Sequence, residues 1–516
     1  MLIAPKAWSD FGAHIPLIRA FSLGNNWPPE SPLFPSVPIQ YHFLFYFVVG
    51  SLEKAGLRID YAFNIPSILG MTALIVLIAV LTKKLFSKYS VAVIAVLLFC
   101  FNSSLSFVRF FEKHPVSIRS LHDIITNTAF PAFGPWDGGL VSAFWNMNIY
   151  TNQRHLGLSY AFVLIAILLA LRIQQSKVRI HAYLLSCGIA STMITLLFLH
   201  QAAAIIAALW IAWIWILQKK SRVPLLFAAL LSVSGLCLYM KLIGSSGTIT
   251  FDPGYLVHPP LTFKTILAFW WQNLGLSLIM IPFGFIVAPK KVKWLLGVPL
   301  FILFVVPNLW RFSPDMINNH KFFNFFIIMG NMLTAYGLIR IFDWLKKSSH
   351  TIIHILGYWF IGLLVFILTL SGIIDLFPIF NERKGVLHDI PVSQDANFFL
   401  TNTPPDAIIL NSTWFYHPAS IAGRKIFSGY TYFTWSYGYD QTKREIETIA
   451  IYEATTKERA CLLLRAYHIN YIELSDAPEK YLKPNYPLFQ DTFTEIYNNP
   501  KTGLRVYDVN TSCHAL

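Results

Sequence analysis

The chain has 516 residues, of which 55% are hydrophobic and only 13% charged, with 40 basic against 26 acidic side chains and a formal net charge of +14. An average soluble chain is about 25% charged, so much of this surface must meet lipid. The positive balance does not indicate a nucleic-acid partner, because the basic residues sit in short loops between apolar runs, where they set topology.

The opening stretch "WSDFGAHIPLIRAFSLGNNWPPESP" predicts a helix. Ser9 suits its cap, and Asp10 favours the positive N-terminal end. Phe11, Ile15, Ile18 and Phe21 recur at helical spacing, while Asp10 and His14, four apart, share another face. Pro16 bends or shortens this helix. The pattern fits an amphipathic helix on the outer membrane surface, aiming an acid and an imidazole at a cavity. The apolar run 41–52 is too short to span. With Pro35 and Pro38 before it and Glu53 and Lys54 after it, it suits an interfacial helix.

Ten spans follow: 61–82, 90–108, 156–171, 182–199, 202–217, 224–242, 266–288, 294–307, 322–341 and 351–376. Only His200 and Gln201 interrupt 182–217, which reads as a tight hairpin or one over-long helix; loop charges favour the hairpin. One set of loops carries Lys83, Lys84 and Lys88, then Arg172, Lys177 and Arg179, then Lys219, Lys220 and Arg222, then Lys290, Lys291 and Lys293, and last Lys346 and Lys347. By the positive-inside rule these are cytoplasmic. The richer loops 1–40, 109–155, 244–264 and 308–321 then face outward, as does the tail. An outward start without a preceding span or signal peptide points to a further helix upstream.

From about residue 377 charges and turn residues return. "DAIILNST", "REIETIAIYEATTKERACLLLRAYHINYIELSD" and "TGLRVYDV" mix short β-branched runs with amphipathic stretches, which predicts a small α/β domain. The expected organisation is an outer loop with juxtamembrane helices (1–60), a transmembrane helical domain (61–376) and an extracytoplasmic α/β domain (377–516). Cys100, Cys187 and Cys237 lie in apolar helices and suit packing. Cys461 and Cys513 lie in the tail, where pairing is open to them, and no cysteine spacing suggests a metal site.

Candidate chemistry clusters at the predicted outer mouths. Arg154 and His155 sit at one, His320 and Lys321 at another. Cations on the side where the positive-inside rule disfavours them suit an anionic group such as phosphate. Snorkelling to lipid headgroups is the plainer alternative. His200 lines the same outer cavity or serves structure only. "FGPWDGG" offers Asp137 in a sugar-contacting loop. In the tail, Arg424, Trp414, Tyr430 and Trp435 stack on a sugar or form an ordinary core. No Gly-x-x-x-x-Gly-Lys-Ser/Thr, Gly-x-Ser-x-Gly or His-Glu-x-x-His pattern occurs, so nucleotide-driven transport and standard hydrolase chemistry have no support.

Together, the surface-helix acid in "WSDFGAH", the Pro-rich approach "PPESPLFPSVPIQYHF", the following "FNIPSILGMTALIVLIAVLTKKLF", the many spans, the basic outer mouths and the outer α/β tail resemble the GT-C superfamily of integral membrane glycosyltransferases. That group includes protein O-mannosyltransferases, aminoarabinose transferases and the oligosaccharyltransferase catalytic subunit. The resemblance implies an inverting transfer of sugar from a polyprenyl-phosphate donor to an acceptor of unknown identity, with the site outside the cytoplasm; sparse cysteine and compact loops point to a bacterial plasma membrane. It gives Asp10 the place of the first-loop acid, as general base or metal ligand, so a divalent metal stays open and no other cofactor is expected. Glu30 is the candidate second acid, since a strict Asp-x-Asp is absent. Membrane lipids are expected partners and nucleic acid is not. The competing readings are a transporter or flippase of a lipid-linked or anionic substrate, marked by ionisable residues inside spans or by broken helices, a polysaccharide polymerase or ligase, and an inactive relative.

Overall fold

The computed structural model describes residues 1–4, 8–134, 140–244, 249–347 and 351–513. The chain forms two compact units. One joins Met1–Pro66, Cys237–Gly247 and Lys384–Leu516, and the other joins Ser67–Leu236 and Thr248–Arg383.

The second unit is helical. Among the described residues seven helices, two of them reaching into the first unit, are long and apolar enough to cross a membrane: Ile59–Phe86, His155–Gln175, Arg179–Leu199, Lys219–Leu242, Lys290–Leu309, Met316–Leu345 and His354–Phe380. The pair Phe263–Leu274 and Ser277–Val287, bent by 87°, makes an eighth if it is one span. The remaining two predicted spans are the shorter apolar helices Tyr89–Cys100 and Gln201–Leu217. Polar sequence accounts for the shortening. After Cys100 the run Asn102-Ser103-Ser104 leaves the helix, which restarts at Ser106. The 266–288 segment breaks at Gly275, whose φ of 52° and ψ of −135° suit glycine. His200 is extended (φ −173°, ψ 111°) and separates two helices, so 182–217 is not one long helix.

The basic loops of this unit gather at one end. Lys84 Nζ donates to Gln175 Oε1 (3.4 Å), and Lys220 Nζ donates to the Ser176 carbonyl (2.9 Å). Lys88 pairs with Asp343 at 2.5 Å. The helices His155–Gln175 and His320–Leu345 therefore have their basic ends here and their histidines at the other end. Small residues let the helices approach closely. A Cβ at Gly284 would overlap the Leu333 carbonyl, and one at Gly70 would come within 2.8 Å of Leu158 Cβ.

The first unit is built on a mixed five-stranded sheet. Its order is Thr494–Asn499, Leu504–Asp508, Tyr471–Ser475, Ile408–Leu410 and Lys425–Ile426. The first three pair antiparallel and the last three parallel. Side chains alternate between faces. Ile408, Leu410, Ile472 and Leu474 join the core beneath Cys461, Leu464 and Phe489, while Ile409, Tyr471 and Val506 face the other way. Ala13 and Leu33 from the N-terminal stretch complete that second core. Cys461 and Cys513 are disulfide-bonded, tying Lys457–Ala466 to Val509–Cys513.

The helix Trp8–Ser22 runs through Pro16. It does not present a single apolar face: residues 11–20 are all buried. Ala13, Leu17 and Ala20 make a second packing face beside Phe11, Ile15 and Ile18, and Gly12 abuts the Phe415 ring. Near its end, buried Arg19 pairs with Glu53 (3.2 Å) and Asp389 (2.9 Å), joining the opening helix to Leu44–Lys54 and to the segment after the last span.

Two stability measurements check this packing. Gly284→Leu should lower stability by about 1–3 kcal/mol or more through overpacking, read as a lower melting temperature in detergent. Arg19→Met should cost about 3–5 kcal/mol, because it strands two shielded carboxylates, and simultaneous Glu53→Gln and Asp389→Asn should restore much of the loss in the same assay.

Candidate functional site

Each unit carries one concentration of polar chemistry. In the first unit it surrounds Asp10. This residue lies in the first turn of Trp8–Ser22, where the helix dipole favours a carboxylate. One turn later His14 is buried, its ring 4.7 Å from that of Tyr46. Tyr41 stacks on Tyr437 at 4.1 Å and lies 6.2 Å from Tyr46. The Tyr41 phenol interacts with those of both Tyr437 and Tyr46. The charge of Asp10 reaches these three phenols and that of Tyr416. Burial is the main cause that pushes all four phenols above their ordinary range, and the carboxylate adds to it. They stay neutral, so each keeps an O–H to donate near the acid.

Sequence reasoning placed Asp10 and His14 here and missed the four tyrosines. The aromatic density of "QYHFLFYF" and "SGYTYFTWSYGYD" was the available signal. Asp10 and His14 are donor types that a divalent cation accepts, but two donors do not complete a ligand set. Glu30 is committed elsewhere: it pairs with Lys425 at 2.7 Å and accepts from the Ser36 N–H at 3.3 Å. Arg424 is buried, and its five N–H donors are all used. They reach Thr403 Oγ1 and the carbonyls of Leu23, Ala422, Leu400 and Thr403 at 2.6–3.2 Å. That head holds the unit together, with its N–H donors engaged within the protein. Trp414 and Tyr430 pack together at 5.5 Å, while Trp435 is half exposed beside Tyr432. Asp137 lies outside the described residues.

In the second unit, residues from three separate loops meet at the end of the bundle away from the lysine-rich loops. His155 opens the helix His155–Gln175, and its ring stacks on His200 at 5.2 Å. His200 caps the next short helix, its Nδ1 accepting from the Ala203 N–H at 3.4 Å. Burial, and then the charge of Lys321, hold His200 well below the ordinary imidazole range. The Lys321 charge also reaches His320. Lys321 Nζ donates to Asn318 Oδ1 (2.8 Å). Asn324 Nδ2 lies 3.0 Å from His320 Nδ1. With the amide donating there, the ring proton sits on Nε2, which is buried and has no hydrogen-bond partner among the described residues. Arg154 precedes this group, half-buried, with Nε donating to the Thr151 carbonyl (3.2 Å). A lysine and buried imidazoles gathered at this end of the bundle suit an anionic oxygen.

Asp375 was not anticipated, although it is the one acid in the final apolar helix. It is buried, and its Oδ2 accepts from Ser142 Oγ (3.1 Å) and Asn146 Nδ2 (2.6 Å). It anchors the loop that leads into the histidine group.

No family model matches the chain, and no curated protein does. Among solved structures it is similar to the oligosaccharyltransferase of Archaeoglobus fulgidus. The apo form is 12% identical with a TM-score of 0.44, over 96% of this chain and 70% of that one. The form tethered by a disulfide to an acceptor peptide containing the NVT sequon is 12% identical with a TM-score of 0.42, over 96% and 69%. The complex with zinc and sulfate is 12% identical with a TM-score of 0.39, over 98% and 69%. At such values these likenesses assign no family to this chain.

The electrostatics of the histidine group can be checked directly. Lys321→Met should raise the His200 titration midpoint, since the cation now disfavours imidazolium, yet leave it below the ordinary imidazole value because burial remains. NMR of ring-labelled histidine against pH reads the shift.

Proposed function

We propose that this chain is an integral membrane glycosyltransferase that moves a sugar from a polyprenyl-phosphate donor to an acceptor on the extracytoplasmic side. The observation that carries this reading is the meeting of His155, His200, His320 and Lys321, drawn from three loops, with the buried His320 Nε2–H aimed at no protein acceptor among the described residues. Buried N–H donors and one cation offset the negative charge that builds on a leaving phosphate as the glycosidic bond breaks. Asp10, in the first unit, is the candidate general base by its own chemistry. A carboxylate among neutral phenols accepts the acceptor's proton as the new bond forms. Inversion at the anomeric centre is what the GT-C resemblance implies. The membrane delivers the lipid donor laterally, which agrees with the lack of a nucleotide-binding motif.

Sidedness has two supports. The Cys461–Cys513 disulfide suits an oxidising compartment, which supports a first unit outside the cytoplasm. The basic end of the second unit belongs to the cytoplasm by the positive-inside rule. A bacterial plasma membrane fits both. The transporter reading keeps one point in its favour, the bent pair Phe263–Leu274 and Ser277–Val287 together with Asp375 in a span. Against it, one Asp375 oxygen is already engaged by Ser142 and Asn146.

Transfer of labelled sugar from polyprenyl phosphate into an envelope extract, by the full chain in proteoliposomes, tests the reading. Asp10→Asn should lower the rate by about 10²–10⁴-fold, as for loss of a general base. Lys321→Met should slow it through weaker donor use. Undiminished transfer by Asp10→Asn, or lipid movement across the bilayer without sugar transfer, would refute the enzyme.

A further inference from the structure

We propose that residues 106–127 of the second unit form a lipid-docking hairpin. It sits at the headgroup boundary of the leaflet opposite the lysine-rich loops and selects anionic phospholipid. This rests on the membrane-spanning character of Thr351–Phe380 and is independent of glycosyl transfer.

The segment contains the helices Ser106–Lys113 and Ser120–Ile125. Both of its ends are fastened to the last apolar helix. At the first, the Phe107 N–H donates to Ser371 Oγ (3.4 Å), and Phe110 is buried against Leu370 and Ile374. At the second, Ile124 packs on the same cluster, and Asn381 Nδ2 donates to the carbonyls of Ile125 (2.6 Å) and Asn127 (3.0 Å). These anchors fix a depth. Lys346 and Lys347 follow His320–Leu345, whose Asp343 pairs with Lys88, so Thr351–Phe380 starts at the basic end. From Thr351 to Leu370 the helix rises about 29 Å, and to Ile374 about 35 Å, at about 1.5 Å per residue. A hydrocarbon core is about 30 Å thick. The hairpin therefore joins the span where the far hydrocarbon surface falls, and Asn381 lies in the headgroup layer beyond it.

Between the anchors the side chains point away from the bundle. Val116 is 80% exposed, Leu121 69%, and Ile118 fully. Val108 and Ile125, on the two helices, are exposed as well. A loop tip that meets water is small and polar; this one carries branched apolar side chains. Phe380, the residue before the Asn381 anchor, is also exposed, so apolar surface runs from the span to the base of the hairpin. The charges choose the lipid. Arg109, Lys113 and Arg119 are exposed among these residues and outnumber Glu112 and the half-buried Asp123. Long cationic side chains on an apolar surface reach phosphate while their neighbours enter the acyl boundary.

The experiment uses the full chain in phospholipid nanodiscs, with Cys100, Cys187 and Cys237 changed to alanine and the disulfide kept. Ile118→Cys carries a fluorescent label, Val116→Cys repeats the test, and Phe366→Cys, exposed on the last span, is the lipid standard. Brominated phospholipid should quench all three labels, and aqueous iodide should quench them several-fold less than the free dye. Brominated phosphatidylglycerol should quench the hairpin labels more than brominated phosphatidylcholine does. Arg109→Gln, Lys113→Gln and Arg119→Gln together should lower that preference by up to about fivefold per cation. Iodide quenching of the hairpin labels like that of the free dye overturns the docking. Shielding from both quenchers means that protein covers the hairpin, and overturns it equally. Equal quenching by the two brominated lipids overturns the choice of headgroup. If the Phe366 standard also escapes brominated lipid, the membrane reading itself fails, and the hairpin's role with it.

Discussion

Hydrocarbon offers no partner to a free backbone N–H or C=O, and this constraint decides where the helices of the second unit break. Each interruption occurs where side chains or a neighbouring loop supply the missing bonds. After Cys100, Asn102 donates to the Trp145 carbonyl, the Leu105 N–H reaches the Gln272 carbonyl at 2.8 Å, and Ser371 Oγ donates to the Ser104 carbonyl at 2.7 Å. Before His320, Asn319 Nδ2 holds the carbonyls of Pro307 and Trp310 at 2.8 and 2.7 Å. Between Leu199 and Gln201 the His200 ring does the same work for an N–H. The residues that satisfy broken helices are also those that make the bundle end polar. The histidine group proposed to meet phosphate is therefore an outgrowth of the way this unit solves its backbone problem.

The first unit meets a different requirement. A carboxylate kept near buried aromatics must be held by something other than water. The opening helix accomplishes this by being a core element, with the sheet of the tail on one side and Leu44–Lys54 on the other. Arg19 locks its far end and the tyrosines surround its near end. Asp10 is thereby placed by a helix packed along its length, which defines a direction better than a surface loop does.

Much of this was legible in the sequence, for identifiable reasons. Hydropathy located the apolar segments, because burial in lipid selects composition over long windows. The positive-inside pattern predicted that Lys84, Lys88 and Lys220 share one end, and their contacts with Gln175, Asp343 and Ser176 place them there. The α/β character of the tail followed from strands such as Tyr471–Ser475 with Gln441–Tyr452 and Lys457–Ala466 beside them. The internal partners of Arg424 were not legible, because an arginine in an aromatic stretch looks the same whether it faces a ligand or five backbone and hydroxyl acceptors. The helix Trp8–Ser22 was read as amphipathic because the small residues Ala13 and Ala20 score weakly, although they pack as closely as larger ones.

The sequence by itself determined the class of molecule, the apolar segments and the residue types available at their ends, since these depend on local composition and on transfer of side chains between water and lipid. Only tertiary structure decided that Tyr41, Tyr46, Tyr416 and Tyr437 share one acid, that His155, His200 and His320 meet, and that Tyr416 is held in a left-handed backbone. Those facts arise from contacts between segments as much as about 400 residues apart, and the pairing of distant segments is set by shape and close packing, which leave no periodic trace in the chain.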